Sequence, residues 1–379
     1  MRKIFVIAAA VLISFSTSFA QNLVQGSIKD APMHEPYSPT FKTDGSKKAP
    51  LNVILMIGDG TGLGQIVSGY YANGGNLTVM NLKAMGLVTT QSADAFITDS
   101  AASGTAYATG QKTYNSSIGM DMDKKPIQNI PEAIAGKKII SGVVTTDGLD
   151  GATPAVFFAH QPNRGMSRRI WADLPGSKLS FFAGGDKELY LRQTEETRNA
   201  IQEKFSIFYD IHDPAILGAD RAGVVPPHVE TGNIKDGRTD FLPVATKTAI
   251  DFLSQRTARG KGFFLMVEGA RIDKASHAND FEGTVLEVLD FDEAIAEAIR
   301  FADKDGHTLV IISADHETGG LVIKNGNPSK GDMEGMFTTG GHTATPVPIF
   351  AYGPHSQDFM GVQGNQEVAQ KILKLLLGK

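Results

Sequence analysis

The sequence predicts an α/β protein, a three-layer α/β/α sandwich around a mostly parallel central sheet. Two observations carry that expectation. Six short runs, 51–57, 139–144, 179–183, 262–267, 308–313 and 347–352, are apolar without a polar face. A strand inside a parallel sheet covered by helices on both sides reads in that way. Between several of these runs lie stretches with helical periodicity, and strands alternating with helices stack as layers around one sheet.

Taken in order, residues 1–20 open with Met1-Arg2-Lys3, continue apolar to Ile13 and end in Ser18-Phe19-Ala20. A basic start, a short apolar stretch and small residues at the end read as a secretory signal peptide cleaved after Ala20. The apolar stretch is shorter than the ~20 residues that a spanning helix needs. Periplasmic or secreted location is therefore expected. Residues 21–50 are polar and carry Pro32, Pro36, Pro39 and Pro50, which suits an N-terminal arm or leader. From 51 to 379 there is neither an internal repeat nor a dividing linker, so one catalytic domain is expected.

Within it, run 51–57 leads into Gly58-Asp59-Gly60, run 262–267 into Glu268, and run 308–313 into Ala314-Asp315-His316. Ligands of open α/β sheets bind beyond the carboxyl ends of the strands, so these acids should meet at one rim. Helices are expected over 282–302, with Val285, Leu289, Ile295 and Ile299 near one face, and over 365–377, with Val368, Ile372, Leu375 and Leu376 spaced alike. Gly378 is a stop for the second.

Composition narrows the function. The net charge is −5, and loss of residues 1–20 removes Arg2 and Lys3 but no acid, leaving 34 cations against 41 acids, or −7. Such a chain has no general attraction to nucleic acid or to an anionic membrane. It has no cysteine, so stability after export rests on a core rather than on disulfides. No later run is apolar for 18 residues, and the mature chain reads as soluble.

The chemistry-bearing residues cluster. Ser100 stands in Thr98-Asp99-Ser100-Ala101-Ala102-Ser103, small residues that suit a helix start, where an anion is favoured. A serine hydroxyl is a weak nucleophile unless a metal or a base activates it, and no histidine adjoins Ser100 in sequence. Asp273 and His277, at i and i+4, share one helix face, and His342 could join them in a zinc site. Asp315 and His316 with Asp59 offer a second set of nitrogen and oxygen donors. Glu268 and Thr153 offer oxygen alone and suit magnesium. His160, His212, His228, His307 and His355 lack partners at ligand spacing. Gly58, Gly60, Gly62 and Gly64 resemble a phosphate-cradling loop, but Asp59 within it fits metal ligation better. Lys274 could reach phosphate through water or remain a surface charge.

The Ser100 string, together with Val267-Glu268-Gly269-Ala270 and Ile272-Asp273-Lys274, closely resembles the alkaline phosphatase family, and the match runs from about residue 51 to the C-terminus. The resemblance implies hydrolysis of small phosphate monoesters through a phosphoserine at Ser100, with an alkaline optimum. It implies two zinc ions and one magnesium ion. Asp273, His277 and His342 would hold one zinc, Asp59, Asp315 and His316 the zinc that also contacts Ser100, and Asp59, Thr153 and Glu268 the magnesium. Arg164 stands where the family grips phosphate, with Arg168 and Arg169 as competitors. A homodimer is likewise implied, and residues 21–50 could wrap a partner.

One departure stands out. Family members commonly place Asp or His two residues before Thr153, whereas this chain has Gly151. Either Asp150 swings in, or the oxygen site has less support and Gly151→Asp should tighten magnesium binding. A phosphodiesterase on the same metal core is the nearest alternative, and Arg164, Thr153 and Glu268 favour the monoesterase. A sulfatase would need Arg at 104, where this chain has Gly. A catalytically silent metal-binding module would have no use for an intact Ser100.

Overall fold

The computed structural model describes residues 23–257 and 261–378; the expected signal peptide lies outside the described residues. Its strands are β1 (Val24–Ile28), β2 (Asn52–Gly58), β3 (Ala84–Thr89), β4 (Ile140–Thr145), β5 (Leu179–Ala183), β6 (Ser206–Phe208), β7 (Ala222–Val224) and β8 (Phe263–Gly269). They continue with β9 (Thr308–Ser313), β10 (Glu317–Thr318), β11 (Val322–Asn327), β12 (Asp332–Phe337), β13 (His342–Thr343), β14 (Val347–Tyr352) and β15 (Gly361–Gly364). Ten of them form one sheet in the order β15-β3-β14-β9-β2-β8-β4-β5-β7-β6.

The six apolar runs are β2, β4, β5, β8, β9 and β14, within one or two residues at their ends. All seven residues of β2 are buried, and they alternate between two cores: Ile54 and Met56 enter one, Val53, Leu55 and Ile57 the other. The first core is closed by helices Leu63–Ala72, Phe241–Arg256 and Phe281–Asp305, the second by Ser100–Thr109 and Asn365–Leu377 among others. That is the three-layer sandwich.

One expectation needs correction. Run 347–352 reads as another parallel strand, yet β14 is antiparallel to both β3 and β9, while the remaining neighbours pair in parallel. Burial on both faces makes the run apolar whichever way it points, so the pattern carries no direction. The reversal matters for the site, because β14 starts at the rim where β2, β8 and β9 end. His342, five residues before β14, is delivered to the same rim.

Residues 23–50 lie along their own chain. β1 pairs antiparallel with β12. Further on, the Tyr37 hydroxyl and the Thr40 backbone N–H donate to Asp303 on helix Phe281–Asp305, at 2.8 and 3.0 Å.

Candidate active site

The site is built from the ends of three neighbouring strands. Asp59 follows β2, Glu268 is the penultimate residue of β8, and Asp315 follows β9, in the sheet order β9-β2-β8. Adjacent strands lie about 4.8 Å apart, which suits ligands of one metal cluster. The turn after β2 passes tightly over Asp273. Gly60 has φ +69°, and a Cβ there would sit 2.7 Å from Asp273 Oδ1, so this position requires glycine. Gly64 packs likewise, its notional Cβ 2.2 Å from the Leu321 carbonyl. This glycine run therefore serves close packing and carries Asp59, whose neighbour Gly60 donates its N–H to Asp315 Oδ1 at 3.1 Å.

Ser100 is the first residue of helix Ser100–Thr109, whose cap is Asp99. The Asp99 side chain accepts from the N–H of Ala102 at 2.9 Å and of Ser116 at 2.9 Å. It also pairs with the Arg164 guanidinium at 3.4 Å, so one carboxylate caps the serine helix and holds Arg164 beside it. Arg168 and Arg169 are exposed on helix Ser167–Asp173.

His316, adjacent to Ser100 in space though not in sequence, is fully buried. Its Nε2 is 3.2 Å from Ser100 Oγ, 3.2 Å from Asp315 Oδ2 and 3.6 Å from Asp59 Oδ1. Its Nδ1 is 3.2 Å from Thr318 Oγ1. His277 Nδ1 meets the Gly340 carbonyl at 2.7 Å, and His342 Nδ1 meets the Thr98 carbonyl at 2.9 Å. Facing carbonyls, both Nδ1 atoms carry a proton, and each Nε2 is the ring nitrogen left to face a ligand. Those two Nε2 atoms face each other at 3.1 Å, with Asp273 Oδ2 3.4 Å from that of His277 and Oδ1 3.8 Å from that of His342. Ring nitrogens and carboxylates turned on one another are what a cation site requires. Two groups of three ligand atoms lie close together among the described residues, Asp59, Asp315 and His316, and Asp273, His316 and His342; the second holds His316 where the sequence reading placed His277, whose Nε2 stands beside that of His342.

The electrostatics agree. Burial, then Asp315, Asp273 and Glu268, push Asp59 well above the usual carboxylate range, against the pull of Arg164. Burial, Asp147 and Asp315 push Glu268 up to about 8. Burial raises Asp315 despite the Gly60 N–H it accepts. Burial, then His342, hold His316 well below 6.5, so it is neutral. Asp59 Oδ1, Asp315 Oδ2 and Thr153 Oγ1 are buried without hydrogen-bond partners, an expense that a bound cation would remove. The residues present fit metals.

Several participants escaped sequence reasoning. Thr318 Oγ1 bridges Asp273 and His316. Thr145 Oγ1 donates to Glu268 Oε2, and Asp147 pairs with Nζ of Lys274, the cation that the sequence left between a phosphate contact and a surface charge. Each lies within four residues of a motif or at the end of a strand, which was the only available signal. Asp150, one of the two alternatives at Gly151, accepts from Ser167 Oγ. His160, His228 and His355 pair with Glu132, Asp186 and Asp358, at 3.0, 2.7 and 2.7 Å.

Against known proteins, the alkaline phosphatase family model matches residues 50–194 and 236–336. Alkaline phosphatase 4 of Bacillus subtilis (strain 168) is 32% identical over 415 residues, covering 86% of this chain and 88% of its own length. The solved alkaline phosphatase of the Antarctic bacterium TAB5 is 39% identical with a TM-score of 0.81, covering 88% of this chain and 99% of that one. A mutant of the TAB5 enzyme, solved with Mg bound in its M3 site, is 38% identical over the same shares of the two chains, with a TM-score of 0.82.

Proposed function

The chain belongs to the alkaline phosphatase family, whose reaction is the hydrolysis of phosphate monoesters, and on that premise we propose that Ser100 is the nucleophile of a phosphoserine route. One observation carries the reading: Ser100 Oγ, Asp315 Oδ2 and Asp59 Oδ1 all stand at the same nitrogen of His316. In a serine–histidine–acid triad the hydroxyl and the acid occupy opposite ring nitrogens. Here the far nitrogen has Thr318, so His316 is better suited to share a cation with both carboxylates than to take a proton from Ser100.

Asp273, His277 and His342 would hold one zinc, Asp59, Asp315 and His316 the second beside Ser100, and Asp59, Thr153 and Glu268 a magnesium. Bound there, these ions supply the positive charge that lowers the pKa of the Ser100 hydroxyl and stabilises the attacking and leaving oxygens. Ser100 Oγ forms a bond to phosphorus as the bond from phosphorus to the ester oxygen breaks. The serine proton passes to solvent, and the departing alcohol takes one up. Water then attacks the phosphoserine and releases inorganic phosphate. Arg164, oriented by Asp99, grips two phosphate oxygens through its guanidinium fork. The helix that begins at Ser100 offers its positive end to the same anion. Alkaline pH favours the reaction because the buried ligand carboxylates, Glu268 among them, must be unprotonated. The enzyme acts after export, in the periplasm or outside the cell, as residues 1–20 suggest.

Acid quenching during turnover of a generic aryl phosphate, followed by mass spectrometry, is expected to find phosphate on Ser100. Ser100→Ala should lower turnover by several orders of magnitude. Phosphate on Thr98 or Ser103 instead would overturn the assignment.

A further inference from the structure

We propose that Asp147 is the positioning acid of the oxygen-only site at Thr153 and Glu268, occupying the place that a side chain at residue 151 would take, and that Lys274 holds it there. Gly151 has φ −56° and ψ 148°, a conformation open to any residue, so glycine is not there for its backbone. What excludes a side chain is space. A Cβ at 151 would lie 2.8 Å from Asp147 Oδ2 and 2.9 Å from the Gly148 carbonyl.

The other oxygen, Asp147 Oδ1, pairs with Lys274 Nζ, next to Asp273 in the chain. The Asp147 N–H donates to Thr145 Oγ1 at 2.9 Å, and that hydroxyl in turn donates to Glu268. The Asp147 backbone is thus linked through Thr145 to the Glu268 carboxylate, and its side chain to the helix that bears Asp273 and His277. Thr153, two residues beyond Gly151, keeps a buried hydroxyl with no partner, a donor set aside for a ligand. Asp150 is engaged by Ser167 and is not available. A Lys–Asp pair at the surface contributes little by itself; this one fixes a carboxylate beside a site whose other donors are all oxygen, the kind that magnesium takes with several of its waters.

The inference rests on the magnesium reading above, and the test separates the two. The full chain, stripped of metal and reloaded with zinc, is titrated with magnesium by calorimetry, and its zinc content is measured in parallel. Asp147→Asn is expected to weaken magnesium binding roughly tenfold to a hundredfold, the usual effect of losing a supporting partner of a metal ligand. Zinc content should stay unchanged, which a general loss of structure would not allow. Lys274→Met, which leaves the carboxylate in place but unheld, should weaken magnesium in the same direction, and Asp150→Asn should not. Unaltered magnesium affinity in both Asp147→Asn and Lys274→Met overturns the inference alone. Absence of magnesium binding in the unmodified chain overturns it together with the magnesium site.

Discussion

Arg164 and its neighbours show how much a single residue's surroundings decide. Of three arginines within six residues the family resemblance favours Arg164, and of the three only Arg164 is tied to the carboxylate that caps the serine helix. A charged hydrogen-bonded contact contributes about 1.5–3 kcal/mol, so Arg164→Ala should lower kcat/KM roughly tenfold to a hundredfold and weaken inhibition by inorganic phosphate. Arg168→Ala should leave steady-state kinetics unchanged; the reverse pattern would place phosphate elsewhere. The same scale corrects an expectation at Gly151. An acid there reads from sequence as a gain for magnesium, but its Cβ would collide with Asp147 and with a backbone carbonyl. Gly151→Asp is a strained substitution rather than a simple repair.

At the level of elements, one anchor of the segment before β2 is a single residue at the end of the long helix Phe281–Asp305. Asp303 accepts from the Tyr37 hydroxyl, the Thr40 N–H and hydroxyl, and the Tyr352 hydroxyl. Partial burial pushes its pKa up, but the bonds from Thr40, Tyr352 and Tyr37 prevail and bring it to about 2, from the usual 3.8. A carboxyl depressed on folding stabilises above its unfolded pKa and loses that contribution as pH falls through its folded one. Asp303→Asn should therefore cost on the order of 1 kcal/mol at neutral pH, a modest figure because the group is only partly buried and solvent screens it. The deficit, read from denaturant unfolding, should shrink between about pH 4 and pH 2, and hydrogen exchange should quicken over residues 37–47. A deficit that persists unchanged at low pH would mean that the charge is not what holds the segment.

For the whole molecule, the rim of the sheet concentrates carboxylates that folding alone does not favour. With metal removed, Glu268 retains its proton up to about pH 8, against 4.5 for an ordinary glutamate. The folded protein then binds more protons than the unfolded chain within that window, so this contribution to its stability falls as pH rises. Bound cations reverse the balance, since ligation requires the ionised carboxylate and releases the proton. The Tm difference between zinc- and magnesium-loaded protein and chelated protein should thus be larger at pH 9 than at pH 6. Calorimetry at pH 7 in buffers of different ionisation enthalpy should register proton release on metal binding. Equal Tm values for loaded and chelated protein at both pH values would remove metals from the stability of the fold.

The sequence by itself determined the layered architecture, because short apolar runs alternating with helical stretches suit strands covered on both faces, and each such run is a strand of the sheet. It also brought forward the residues that gather at the rim, since the acids follow directly on strand ends. It missed β3, β6, β7 and β15 of the central sheet, which are partly exposed or only three or four residues long, and β1, β11 and β12 outside it. Partial exposure dilutes the apolar signal on which the reading depends. Only the tertiary structure decided the direction of β14, the contact of His316 with Ser100, the pairing of Arg164 with Asp99 and the closeness of Asp147 to Gly151. Most of those depend on which groups separated by tens to hundreds of residues come within a few ångströms, and local periodicity contains no term for such distances.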